Sequence, residues 1–118
     1  MRYPHSLFVK MAPRTLAAVF ILSVACGPAL AGDARAGHDK ARQCQVCHGL
    51  DGLAKLPDAP HIAGDSAIYI EMQLKAYRSG ERTHPQMSIV AQALSDEDIS
   101  DLAAYYSAIE VTVKVPEL

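Results

Sequence analysis

Three stretches of the chain carry helical spacing, and no pair of stretches alternates well enough to suggest a sheet. The first runs from about Ala34 to Cys44 or beyond. Asp33 can cap it, and the small residues Gly37 and Ala41 share one face at i, i+4, where another helix can come close. The second ends at Ser79. Ile70, Leu74 and Tyr77 recur at i, i+4, i+7 with Tyr69, Met72 and Ala76 beside them, Asp65 or Ser66 can cap it, and Gly80 is a natural stop. The third opens at Ser95 with Asp96, Glu97 and Asp98 in its positive first turn, and its stripe is Ile99, Leu102, Ala103, Tyr106 and Ile109. Between the first two lies a turn-rich loop, His48 to Gly64, with Pro57 and Pro60 in it. Between the last two come a polar loop, Glu81 to Gln86, and a short apolar stretch, Met87 to Leu94. The alternation Val111 to Val115 runs into Pro116 and reads as a surface tail. The pattern predicts an all-α domain over residues 33–110 and a tail over 111–118.

Residues 1–32 follow another pattern. Arg2, Lys10 and Arg14 lead into the apolar run Thr15 to Ala25, and small residues end in Ala29-Leu30-Ala31, an A-x-A cleavage site. At eleven residues the run is shorter than a bilayer span, which takes about twenty. It reads as an export signal cleaved after Ala31, directing the protein to the periplasm with no lasting membrane insertion. Met11 is the more ordinary start. Cys26 lies in a loose lipoprotein-like setting with Leu22 one place early, so simple cleavage, which discards Cys26, is preferred to a lipid tether.

The 118 residues suggest one domain, and with no Trp and two Phe a large core of side chains alone is not expected. Small domains of this kind commonly gain stability from a staple or a cofactor. Residues 33–118 hold eight basic and thirteen acidic side chains, a formal balance of −5. That argues against nucleic acid as a partner and against a uniformly basic docking face.

The candidate chemistry is in Cys44-Gln45-Val46-Cys47-His48, the C-x-x-C-H pattern of covalent haem attachment. Cysteines three apart on a helical turn face the same way, so each can form a thioether with one vinyl group. The adjoining His48 can then offer a nitrogen to the iron. A zinc site lacks a second pair of ligands at suitable spacing, a thioredoxin-like dithiol would want a βαβ setting, and a plain disulfide leaves the following histidine unexplained. A second axial ligand must come from the opposite face, hence from a distant segment. Met87, 39 residues on, is one candidate, and His61 and His84 are rivals that would lower the potential. Met72, on the apolar side of the second helix, is expected to fill core.

With these residues in hand, the chain resembles class I cytochromes c, and is most similar to the short bacterial domains that occur doubled in the dihaem c-four group. It is also similar to the single-haem cytochrome subunits of flavocytochrome sulfide dehydrogenases. The resemblance covers Asp33 to Ile109. It rests on Gly37 through Cys47-His48-Gly49, Pro60-His61-Ile62-Ala63-Gly64, Tyr69, Gln73-Leu74, Tyr77-Arg78-Ser79-Gly80, Arg82, Pro85, Met87, Leu94 to Asp98 and Leu102 to Tyr106. It implies three to four helices around one haem c, with His48 and Met87 as axial ligands. It also implies a Pro60 carbonyl bonded to the free nitrogen of His48, Ile62 packed on the haem, and Gly37 and Ala41 against Tyr105. Arg82, with Arg78 or Tyr77 as further candidates, would meet a propionate, while Tyr105 and Tyr106 would pack. A single C-x-x-C-H departs from the dihaem pattern. His61, titratable and near the expected pocket, would make the potential pH-dependent if it moved on oxidation. The implied function is one-electron transfer between redox proteins such as a membrane oxidase or reductase or a periplasmic dehydrogenase, without catalysis of its own. The alternatives are a haem subunit of a redox enzyme and a haem-based sensor or catalyst of gas or peroxide.

Overall fold

In the computed structural model, which describes residues 32–117, the first helix begins where its capping residue predicts. The Asp33 carboxylate accepts from the amides of Arg35 at 2.8 Å and Ala36 at 3.3 Å, and α1 runs over Ala34–Lys40. The expected continuation to Cys44 is not one helix. At Ala41–Gln43 the winding tightens to 3₁₀, with the Cys44 amide bonded to the Ala41 carbonyl at 2.9 Å, and α2 follows over Gln45–His48. Helix ends commonly tighten in this way, and three residues are too few for spacing to separate a period of 3.0 from one of 3.6. The segment expected to act as an export signal, apart from Gly32, and Cys26 lie outside the described residues.

α3 spans Ala67–Ser79. Ser66 caps it, its hydroxyl accepting from the Tyr69 amide at 3.2 Å, and Gly80 closes it at φ +83°. The apolar stretch after Pro85 coils into a short helix, α4, over Met87–Gln92. α5 spans Asp96–Ser107 and begins with a capping box: the Asp98 amide donates to the Ser95 hydroxyl at 3.0 Å, and the Asp98 carboxylate accepts from the Ser95 amide at 2.9 Å. The tail from Glu110 has no regular structure, and Val111, Val113 and Val115 are exposed. Among the described residues no helix is long and apolar enough to cross a membrane.

α1 crosses α5 where the small residues predicted it. A Cβ on Gly37 would lie 2.0 Å from the Asp101 carbonyl oxygen and 2.8 Å from Tyr105 Cβ, and Ala41 is fully buried. Polar groups lock the crossing. Lys40 bridges Asp98 at 2.9 Å and Asp101 at 2.6 Å, and the second Asp101 oxygen accepts from the Asp33 amide at 2.7 Å. Beneath them Ile99, Leu102 and Tyr106 are fully buried, with Ile70 and Leu94 against them. α3 packs on both α5 and α4. Met72 does not fill this core. It is 54% exposed on the outer side of α3, because α5 and α4 take the faces that bear Ile70 and Tyr77.

The loop from Gly49 to Ser66 packs Leu50 and Ile62 on the core and is pinned by backbone bonds. Gly52 sits at φ +72° and its carbonyl accepts from Ile62 at 2.8 Å and Ala63 at 3.1 Å. A Cβ there would meet the Ala63 nitrogen at 2.6 Å. Farther on, the Gly64 amide donates to the Tyr106 carbonyl at 2.9 Å.

Two outcomes follow. Gly37→Ala is expected to cost about 1–3 kcal/mol by forcing α1 off α5, read from the denaturant midpoint. The Lys40 ammonium holds Asp101 below the usual carboxylate range and Asp98 down to about 2, with the amide and hydroxyl of Ser95 adding at Asp98. Because these folded-state values are depressed, the stabilisation is complete above the ordinary aspartate range and is lost as pH falls from about 4 to about 2. Lys40→Met should therefore lower Tm at neutral pH, by a margin that shrinks in acid.

Candidate functional site

The tightened turn at the end of α1 delivers the C-x-x-C-H residues to one wall of a cavity of about 600 Å³. The loop supplies Pro60 and Ile62, α3 supplies Ile70, Leu74 and Tyr77, α4 supplies Met87 and Val90, and Leu102 and Tyr106 of α5 form its floor. All seven residues singled out from sequence, Cys44, Cys47, His48, Pro60, Ile62, Arg82 and Met87, line it. A wider groove along the outer side of α3, around Met72 and Lys75, is open to solvent and holds no cysteine or histidine.

His48 is buried, and its Nδ1 lies 3.0 Å from the Pro60 carbonyl oxygen. A carbonyl only accepts, so the proton is on Nδ1 and the lone pair is on Nε2. That bond fixes the ring and makes Nε2 a better donor. Burial, followed by the nearby Cys47, pushes the Cys44 thiol up to about 11. A neutral sulfur suits this apolar wall better than a thiolate. The two thiols are not joined to each other, and among the described residues no group of three or more His, Cys, Asp or Glu gathers around a metal position.

The other candidates are sorted by their bonds. Met87 heads α4, which packs on α3, so it reaches the cavity from a different element than His48. His84 Nδ1 accepts from the amides of Gln86 and Met87, each at 3.4 Å, and so helps to start α4. His61 Nδ1 accepts from the Ala54 amide at 2.8 Å, within the loop that also carries Pro60. Arg82 stands over the Tyr77 ring, 4.7 Å from its centroid, and donates to Gln73 at the cavity edge. Arg78 is not available to a propionate: it donates to the Leu94 carbonyl at 3.0 Å and pairs with Asp96, tying α3 to the start of α5.

The two tyrosines do more than pack. The Tyr105 hydroxyl donates to the Leu50 carbonyl at 2.8 Å, and the Tyr106 hydroxyl to the Gly49 carbonyl at 3.2 Å, so α5 grips the loop just after His48. Burial, then the Cys44 sulfur, raises the Tyr106 phenol and keeps it a neutral donor. Two adjacent tyrosines on the last helix were visible in sequence, but their acceptors, more than fifty residues away, were not.

The cavity fits a flat apolar group with polar edges. Its volume is in the range of cofactor sites, its walls are mostly apolar, two cysteine sulfurs and an imidazole lone pair line it, and Arg82 lies at the rim. The family model for cytochrome c matches residues 34–108. The chain belongs to the cytochrome c family. Its cofactor is covalently attached haem c, for which Cys44 and Cys47 have the attachment spacing. This cytochrome is 52% identical over 83 residues to cytochrome c-554(548) of Halomonas halodenitrificans, covering 68% of this chain and 100% of that protein. It is 40% identical over 70 residues to the thiosulfate dehydrogenase electron acceptor of Stutzerimonas stutzeri, covering 58% of this chain and 32% of that protein. Among solved structures, reduced recombinant cytochrome c4 from Pseudomonas stutzeri superposes with a TM-score of 0.65 at 36% identity, covering 70% of this chain and 48% of that one. The chain thus spans the whole of the Halomonas cytochrome but less than half of the other two.

Tyr106→Phe should leave the absorption spectrum unchanged and remove about 1 kcal/mol of stability, a fall of roughly 4–8 °C in Tm of the haem-loaded protein.

Proposed function

We propose that this cytochrome is an exported one-electron carrier with His48 and Met87 as axial ligands. The observation that carries the proposal is the convergence of Cys44, Cys47 and His48 from the motif turn, and Met87 from the start of α4, on one apolar cavity. When bound, haem c supplies a one-electron iron couple. The chain holds, orients and shields it. Cys44 and Cys47 tether it, and His48 presents Nε2 with its ring fixed by Pro60. The Met87 thioether is a soft donor that favours reduced iron and a higher potential. Ile62, Leu74 and Leu102 exclude water, and Arg82 would meet a propionate. With His48 and Met87 both on the iron, no position would remain for a substrate, which favours transfer over catalysis.

Residues 1–32 act as the export signal, residues 33–110 form the cytochrome domain in the periplasm, and residues 111–118 trail from it. The partners are redox proteins, a dehydrogenase as donor and a membrane oxidase or reductase as acceptor. The name of the Stutzerimonas relative, an electron acceptor of a dehydrogenase, supports that direction of flow. Docking is brief, as for other electron-transfer encounters. A permanent haem subunit of a redox enzyme would keep the same ligands and differ by co-eluting with its partner.

The optical spectra of haem-loaded wild type and Met87→Ala test the ligand set. A low-spin wild type with a long-wavelength sulfur-to-ferric band, lost in the variant together with a clear drop in potential, is the expected outcome. A high-spin wild type that binds carbon monoxide rapidly when reduced would replace the carrier by a sensor or catalyst. A low-spin wild type without the band would pass the sixth position to His61 or His84.

A further inference from the structure

We propose that His61 is a positioning residue for the axial histidine: its imidazole clasps the backbone of Ala54 and so holds the Pro60 carbonyl against His48. The proposal rests on the ligation by His48 put forward above. An amide only donates, so the 2.8 Å bond from Ala54 makes Nδ1 of His61 the acceptor and puts the ring proton on Nε2. Two further bonds tie this loop to the motif. The Lys55 amide donates to the Cys47 carbonyl at 2.8 Å, and His48 Nδ1 donates to the Pro60 carbonyl at 3.0 Å. Ala54 adjoins Lys55, His61 adjoins Pro60, and Cys47 adjoins His48. The Ala54–His61 bond therefore closes a ring whose other two closures both end on the C-x-x-C-H residues.

The clasp is the side-chain bond that closes residues 54–61, and the Ile62 and Ala63 amides on the Gly52 carbonyl hold the chain just beyond it. The other bond within residues 54–61 is the local turn from the Ala59 amide to the Leu56 carbonyl at 3.2 Å. Leu56, Pro57, Asp58, Pro60 and His61 are all exposed. Pro60 has no amide of its own to anchor its carbonyl.

The test uses three forms of the haem-loaded protein: wild type, His61→Leu, which removes the acceptor, and His61→Asn, whose side-chain oxygen can take the place of Nδ1. Two readouts are taken at pH 8, amide hydrogen exchange at Ala54 and the midpoint potential. In wild type, Ala54 is expected to be protected. His61→Leu should lose about tenfold or more of the Ala54 protection factor, and its potential should rise as the Pro60–His48 bond weakens. His61→Asn should restore both to the wild-type values. The proposal is overturned if Asn behaves as Leu does, or if wild-type Ala54 is unprotected, a result that needs no variant to fold. The sulfur-to-ferric band, recorded on each sample, reports the His48–Met87 ligation separately.

Discussion

An imidazole at the end of a four-residue helix cannot be held by that helix alone. The bond from His48 Nδ1 to the Pro60 carbonyl supplies the missing constraint, and much of the rest of the molecule serves it. It fixes the tautomer, aims Nε2 into the cavity and requires the loop after His48 to fold back within twelve residues. That return is possible because Gly52 adopts a left-handed turn and lets its carbonyl meet Ile62 and Ala63. It is secured from the far end of the chain, where Tyr105 and Tyr106 donate to Leu50 and Gly49. The last helix therefore has two tasks. It meets α1 at Gly37 and grips the haem-side loop, and Tyr105 takes part in both.

The core explains why so small a domain is organised around a cavity. Ile99, Leu102 and Tyr106 are its largest fully buried side chains, and beside them Ile62, Ile70, Leu74 and Val90 face about 600 Å³ of space. In the haem-loaded protein the cofactor occupies the place a larger protein fills with side chains. Attachment, burial and stability are then coupled: the residues that tether and shield the haem are also those that would otherwise be left facing water.

The polar bonds at the helix ends divide the work. Lys40, Asp98, Asp101 and the Asp33 amide bind α1 to α5 on the side away from the cavity. Arg78 joins α3 to the start of α5 through Leu94 and Asp96. Arg82, four residues later, is left at the cavity edge over Tyr77. The two arginines thus have different tasks, because Arg78 lies on the last turn of α3 and Arg82 lies past Gly80 in the loop that follows.

The sequence by itself determined the helices with strong stop and start signals, since capping is local chemistry: Asp33, Ser66, Gly80 and Ser95 all act where spacing predicts. It also determined the attachment chemistry, because two cysteines and a histidine within five residues need no tertiary information to face together. The close crossing at Gly37 was legible for the same reason, as a missing side chain marks where another backbone can approach. Tertiary structure decided what depends on partners far along the chain. It set the 3₁₀ tightening before Cys44 and turned Met72 outward when α4 and α5 claimed the other faces of α3. It took Arg78 for Asp96, and it gave the tyrosines their acceptors on the loop. Local spacing specifies which residues can face one way, but a hydrogen bond across fifty residues exists only once the chain has folded back to make it.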